Sequence, residues 1–376
     1  MKSSYARPTG KDGMPRKRNR KRHPLYAVDL FAGGGGLTVG LKRAGFVVVA
    51  AVEVEGHAYS TYKSNHPEVF AYKQDIRTID GENLLRHSPT GKIDLLAGCP
   101  PCQGFTSLTR KYRRNDPRNE LIREMARIVR ETAPQVVMME NVPGLIDRGR
   151  LLFEEFVDEL SAIGYVCEWK VLQAADYGVP QNRRRLVFLA GKGFKIPLPV
   201  ATHSRNGNSG LKAWRTLRDV IGHMAEPVRL SEALSKGGAQ SFHWHVVRDM
   251  NSQNIRRLRY VKPGLGRNRL PIDLRPDCHK SCDDGFRNVY GRMVWDAISP
   301  TITGGCTTLS KGRFGHPEKV RTISVREAAL IQGFPSDYII DTPCMGPACD
   351  IVGNALPCDF AEAIARQCAD ILVAPA

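Results

Sequence analysis

Short apolar runs alternate with amphipathic stretches along most of the chain, the pattern expected when buried strands are joined by covering helices. Residues 26–31, 47–53, 93–97, 136–139, 166–171 and 186–190 read as strands. Helices are expected at 37–44, 57–65, 119–132, 151–163, 324–332 and 359–372. In the third, Leu121, Ile122, Met125, Ile128 and Val129 recur at helical spacing, with Arg and Glu on the other face. In the last, Ala361, Ile364, Ala365, Cys368 and Ile371 share one face. Strands separated by helices predict an α/β fold with parallel strands.

The texture changes after Gly191. Residues 195–291 are rich in Gly, Pro, Asn and Arg and carry no long periodic run, which predicts a smaller, irregular, partly β domain inserted before the final part of the first. The expected division is a basic tail over 1–23, a first catalytic part over 24–191, the insertion over 192–298, and a closing part over 299–376. Length supports this, since 376 residues is a soft prior for two domains.

Charge sharpens the division. The net charge is +17, but residues 1–23 carry +8 and residues 192–292 carry +11, leaving +1 over 24–191 and −3 over 293–376. A basic middle on a near-neutral body points to a nucleic-acid partner. No membrane partner is expected, because the longest strongly apolar run, 46–52, is far too short to span. The first residues hold Arg16 to Arg22 with no apolar core, so no signal peptide is expected either. The ten cysteines show no regular spacing, which fits unligated thiols in a reducing compartment, with no metal.

Candidate chemistry gathers where strands end. Asp29-Leu30-Phe31-Ala32-Gly33-Gly34-Gly35-Gly36 places four glycines between a strand and a helix, where backbone can approach a ligand and helix amides can face an anion. Thr38 occupies the place of the third dinucleotide glycine, which disfavours NAD. Glu53 ends the second strand, where acids hold ribose hydroxyls in nucleoside-binding folds. Cys99-Pro100-Pro101-Cys102 puts a thiol on a stiffened loop after a strand, and Glu140 ends another. Arg183, Arg184 and Arg185 precede a third.

Taken together, these residues resemble the DNA (cytosine-5) methyltransferase family. The glycine turn, Pro-Pro-Cys-Gln at 100–103, Glu-Asn-Val at 140–142, Gln181-x-Arg183-x-Arg185 and Gly353-Asn354-Ala355-Leu356-Pro357 occur in the family's order. Gln332-Gly333-Phe334-Pro335 is a further match, and the resemblance spans about 25–370 outside the variable middle.

The resemblance implies a Rossmann-like methyltransferase domain that transfers a methyl group from S-adenosylmethionine to carbon 5 of a cytosine flipped out of duplex DNA. It implies Cys102 as the nucleophile at carbon 6, Glu140 as the group on ring nitrogen 3, Arg185 at the cytosine carbonyl and Arg183 in support. For the cofactor it implies Phe31 near adenine, Gly33 and Gly35 around the methionine portion, Glu53 on the ribose, Asp75 and Ile76 on adenine, and Pro101 with Asn354 closing the site. The middle becomes an irregular or β-rich target-recognition domain, with Arg256, Arg257, Arg259, Arg267 and Arg269 as candidates, and residues 109–118 a closing loop on the phosphates. A monomeric, cytoplasmic bacterial enzyme paired with a restriction endonuclease is expected. An RNA (tRNA) methyltransferase and a catalytically silent DNA-binding regulator are the alternatives; the intact Cys102, Glu140, Arg183 and Arg185 disfavour the latter.

Overall fold

The computed structural model describes residues 23–101, 117–280 and 285–374. The expected basic tail, Cys102 and residues 109–116 of the expected loop lie outside them. Seven strands form one sheet: β1 (Leu25–Leu30), β2 (Phe46–Val52), β3 (Phe70–Tyr72), β4 (Leu95–Gly98), β5 (Val136–Asn141), β6 (Tyr165–Gln173) and β7 (Arg184–Lys192), in the order β3-β2-β1-β4-β5-β7-β6. β3, β2, β1, β4 and β5 pair in parallel, as expected. β7 is antiparallel to both β5 and β6, which corrects the all-parallel expectation.

Each central strand is buried on both faces, which is why these segments read as continuous apolar runs. On one face Ala27, Val48, Leu95, Val136 and Val187 pack with Leu37 and Leu41 of α1 (Gly36–Arg43) and with Phe360, Ala361, Ile364, Ala365 and Cys368 of the closing helix. A Cβ on Gly40 would stand 2.4 Å from that of Ala361, so this glycine allows the two helices to touch. On the other face Val28, Leu30, Ala50, Leu96, Val137, Met139 and Phe188 meet Ile122, Met125, Ile128 and Val129 of one helix and Phe153, Phe156 and Leu160 of another.

The remaining helices follow in chain order. They are α2 (Gly56–Asn65), α3 (Gly81–Leu85), α4 (Leu121–Thr132), α5 (Gly144–Asp147), α6 (Arg150–Ala162), α7 (Leu217–Ile221), α8 (Leu230–Ser235), α9 (Ser252–Tyr260), α10 (Val325–Ile331), α11 (Met345–Asn354) and the closing α12 (Cys358–Val373).

The middle of the chain is irregular, as expected, but not β-rich. Among its described residues the only strands are two-residue pairs, His203–Ser204 with Lys212–Ala213 and Val228–Arg229 with Val246–Val247. Local caps favour short helices instead: Thr216 and Asp219 form a capping box on α7, and the Asn251 side chain accepts from the Asn254 amide at the start of α9. Leu217, Val220, Ile221, Ala233, Trp244 and Val246 share a core with Ile323, Ala328, Ala348 and Val352 near the C-terminus. Leu258, Val261, Leu270, Leu274 and Leu309 make a smaller core of their own.

Candidate active site

Register aligns the chemistry. Leu30 pairs with Val52 in β2 and with Gly98 in β4, and Gly98 pairs with Met139 in β5. The residues that come next, Phe31, Glu53, Cys99 and Glu140, therefore stand in one row. This is the carboxyl edge at the point where strand order reverses, β2-β1 to one side and β4-β5 to the other, the place where open α/β sheets bind ligands. Because β7 runs the opposite way, its beginning lies on that edge, which brings Arg183 and Arg185 to the end of β5.

Arg185 Nε is 2.7 Å from Glu140 Oε1, with both side chains largely buried. The contact is ionic without the alignment of a hydrogen bond: Oε1 is buried and receives no hydrogen bond among the described residues. Arg183 is buried more deeply. It donates to the carbonyls of Ile302 (2.9 Å), Gly353 (3.4 Å) and Ala355 (3.1 Å) and to Gln181 Oε1 (3.4 Å), tying the start of β7 to the C-terminal part. Burial, with the positive charge of Arg185, pushes its guanidinium down to about 9, against the attraction of Glu140. Its influence on Glu140 is thus one of charge.

Two residues quoted in the sequence only as parts of motifs prove structural. Gln181 Nε2 donates to Gln332 Oε1 (2.7 Å), and Gln181 Oε1 accepts from the Ile302 amide (2.9 Å). Gln332 donates in turn to the carbonyls of Val352 (2.7 Å) and Ala355 (3.1 Å). Asn141, which carried no role in the sequence, donates through Nδ2 to the Pro100 carbonyl (3.1 Å), joining the end of β5 to the loop that leads to Cys102. Cys99 is held as a thiol, since burial, then the charges of Glu140 and Asp29, push it well above its ordinary value.

At the end of β1, Phe31 adopts a left-handed backbone (φ 59), uncommon for a bulky residue and a mark of local strain. The four glycines have different causes. At Gly33 (φ 55) an added Cβ would meet nothing within 4 Å, whereas at Gly34 it would strike Ile351, at Gly35 Tyr338 and His66, and at Gly36 the Leu356 carbonyl. Among the described residues only Gly33 faces open space; the others admit protein. Glu53 Oε2 accepts from the Gly33 amide and Oε1 from the Glu55 amide, both at 2.7 Å. Burial raises its carboxyl while these amides oppose the rise.

Beneath the turn lies Asp29, fully buried, which sequence reading passed over. Its Oδ2 accepts from the Thr38 hydroxyl (2.7 Å), and Oδ1 has no hydrogen bond among the described residues. Burial pushes this carboxyl up to about 7 against the Thr38 bond, and the charge of Glu53 adds to the rise. Asp75 accepts from the Arg77 amide (3.0 Å) and pairs with the Arg77 guanidinium (3.2 Å), while Ile76 is buried. Pro101 is half-buried, and Asn354 is exposed at the end of α11. Among the described residues no cluster of His, Cys, Asp and Glu could hold a metal ion, and no helix is long and apolar enough to cross a membrane.

An open α/β sheet with an acid, arginines and a glycine turn at one edge is the arrangement of a nucleoside-binding enzyme. Residues 25–370 match the sequence profile of the C-5 cytosine-specific DNA methylases, so the chain belongs to that family and is an S-adenosylmethionine-dependent DNA (cytosine-5) methyltransferase. It is 36% identical to the Type II methylase M.HgiDII of Herpetosiphon aurantiacus over 90% of this chain and 94% of that one. Identity is also 36% to the Type II methyltransferase M1.HphI of Haemophilus parahaemolyticus, covering 91% of this chain and 86% of the relative. In fold it is similar to a putative DNA modification methyltransferase encoded within an Escherichia coli prophage (TM-score 0.67, 23% identity, 93% and 99% covered). A similar likeness extends to the S. pombe Dnmt2 methyltransferase (TM-score 0.62, 17% identity, 93% and 98% covered). The open space at Gly33 beside the amide-held Glu53 fits the cofactor of this family.

Proposed function

We propose that this chain is the modification enzyme of a restriction-modification system, methylating carbon 5 of one cytosine within a specific duplex sequence. The Type II names of its relatives support the setting, and the Arg185–Glu140 contact at the glycine-turn edge carries the residue assignments. A cytoplasmic bacterial location, a cognate endonuclease and action as a monomer belong to the same reading.

Carbon 5 of cytosine is a weak nucleophile and needs temporary covalent activation. In this reading the Cys102 thiolate adds to carbon 6 and leaves carbon 5 electron-rich. Glu140 holds ring nitrogen 3 and the exocyclic amine, sharing a proton as charge develops, and Arg185 binds the carbonyl at carbon 2. Arg183 adds positive charge from behind and holds the C-terminal part against the site. Bound S-adenosylmethionine would supply an electrophilic methyl group, and loss of the proton from the methylated carbon 5 to a base then expels Cys102 as thiolate and restores the ring. Glu53 would hold its ribose, Phe31, Asp75 and Ile76 its adenine, and Gly33 and Gly35 its methionine portion, with Pro101 and Asn354 closing the site.

Residues 192–298 serve as the target-recognition segment in this proposal, with residues 109–118 following the phosphates. Of the five candidate arginines, Arg256, Arg259 and Arg269 are exposed, whereas Arg257 and Arg267 are buried. Arg257 donates to the Leu274 carbonyl (2.7 Å) and stacks on Tyr290. The exposed three are the ones placed to meet DNA.

Bisulfite sequencing of DNA from cells expressing the protein tests the reading, and protected cytosines in one recurrent context are expected. Tritiated cofactor offered with duplex DNA and with tRNA separately decides against the RNA alternative if only DNA is labelled.

A further inference from the structure

The glycine turn is gripped from beneath by a relay of three side chains from distant parts of the chain. Lys42 Nζ lies 2.7 Å from His66 Nδ1, His66 Nε2 lies 3.1 Å from Tyr338 Oη, and the Tyr338 hydroxyl donates to the Gly34 carbonyl at 2.5 Å. Direction follows from chemistry. A lysine ammonium only donates, so Nδ1 accepts; Nε2 then carries the proton and donates to the phenol oxygen, which frees the phenol proton for Gly34. Burial and the charge of Lys42 push His66 down to about 4, and burial pushes the Tyr338 phenol well above its ordinary value. Both groups therefore hold these protonation states at neutral pH. Lys42 is also paired with Glu68 on the surface.

The other end of the same peptide unit is held as well, since the Gly35 amide donates to the Ala32 carbonyl (2.9 Å). With its carbonyl on Tyr338 and its N–H on Ala32, the Gly34–Gly35 peptide has one orientation. The left-handed Gly35 (φ 90) is required by the same contact, because a Cβ there would stand 2.5 Å from Tyr338 Oη and 2.7 Å from His66 Nε2. Without the hydroxyl, this glycine-rich segment has many alternative conformations to lose on binding.

We propose that Tyr338, oriented by His66 and Lys42, is a positioning residue for cofactor binding that preorganises the glycine turn from the C-terminal part of the chain. The proposal rests on the turn being the seat of S-adenosylmethionine.

The test is calorimetric titration of full-length enzyme with S-adenosylmethionine in the absence of DNA, comparing Tyr338→Phe, His66→Leu, His66→Gln and Glu53→Ala. Tyr338→Phe is expected to weaken cofactor binding roughly fivefold to tenfold, the value of one lost hydrogen bond. DNA affinity and Tm are expected to stay close to those of the parent, and KM for the cofactor to rise by a larger factor than kcat falls. His66→Leu should match it, His66→Gln, which keeps a donor, should restore much of the loss, and Tyr338→Phe combined with His66→Leu should be no worse than either alone. Parent-like affinity in Tyr338→Phe beside weakened binding in Glu53→Ala would overturn the relay. Parent-like affinity in both would overturn the placing of the cofactor at the turn and the proposal with it. Equal losses of cofactor affinity, DNA affinity and Tm in Tyr338→Phe would make the tyrosine merely structural and likewise overturn it.

Discussion

Arg185 Nε approaches Glu140 Oε1 to 2.7 Å without directing a hydrogen bond at it, so the acid is neutralised in charge while Oε1 keeps its capacity to bond. A buried carboxylate with one unspent oxygen is poised for a partner that brings its own donor, and the amine edge of cytosine is such a partner. Glu140→Gln is therefore expected to lower kcat about 100-fold or more, the scale of a lost proton-sharing group. Cofactor affinity should be unchanged, and single-turnover methylation with tritiated S-adenosylmethionine measures the first while titration measures the second.

Cys102→Ser should abolish methylation while leaving DNA and cofactor binding largely intact. Gel shift and titration check the binding, and full turnover by this variant would sink the covalent route.

Asp29 gives a pH dependence of stability. Its carboxyl stands at about 7 in the fold against an ordinary value of 3.8, so the native state binds the extra proton and stability falls as pH rises between these values. Asp29→Asn keeps an acceptor for Thr38 and has no charge to bury. It should gain on the parent by a few kcal/mol at most, about 1.4 kcal/mol for each tenfold difference in proton affinity between the folded and unfolded carboxyl, at pH 8, with a smaller gain at pH 5. Chemical denaturation at the two pH values reads the difference, and a gain that shrinks toward pH 8 would refute the sign.

The exposed and buried arginines of the middle segment should separate cleanly. Arg256→Ala and Arg259→Ala are expected to weaken DNA binding and flatten its dependence on salt, by about one unit of slope for each phosphate left without its arginine, with little change in Tm. Arg257→Ala should instead lower Tm, because it removes the bond to the Leu274 carbonyl and the packing on Tyr290. Binding isotherms at several salt concentrations beside melting curves decide between the two behaviours.

Periodicity made α4 and α12 legible, and buried apolar runs did the same for β1, β2, β4 and β5. The direction of β7 was not legible, because an apolar run such as 186–190 reads alike either way along a sheet. β3 spans only three residues and α11 contains Gly346, Pro347 and Gly353, so neither stood out. In the site, Glu140 and the two arginines were visible as charges at strand ends. The bonds from Gln181 to Gln332 and from Arg183 to Gly353 were not, since they join residues 151 and 170 positions apart, and no local pattern records such a distance. Asp29 was hidden for a different reason: its chemistry comes from burial beneath the turn, which the neighbouring letters do not show.

The packing of α12 on α1 orders events in time. The glycine turn is made first, and Tyr338 and the helix that covers Leu37 and Leu41 follow some 300 residues later, as the span of 316 positions from Arg43 to its partner Asp359 shows. A nascent chain that holds every strand of the sheet still has an uncovered α1 and a turn without its clamp. The turn is thus held in place only after Tyr338 and the residues of α12 have been made.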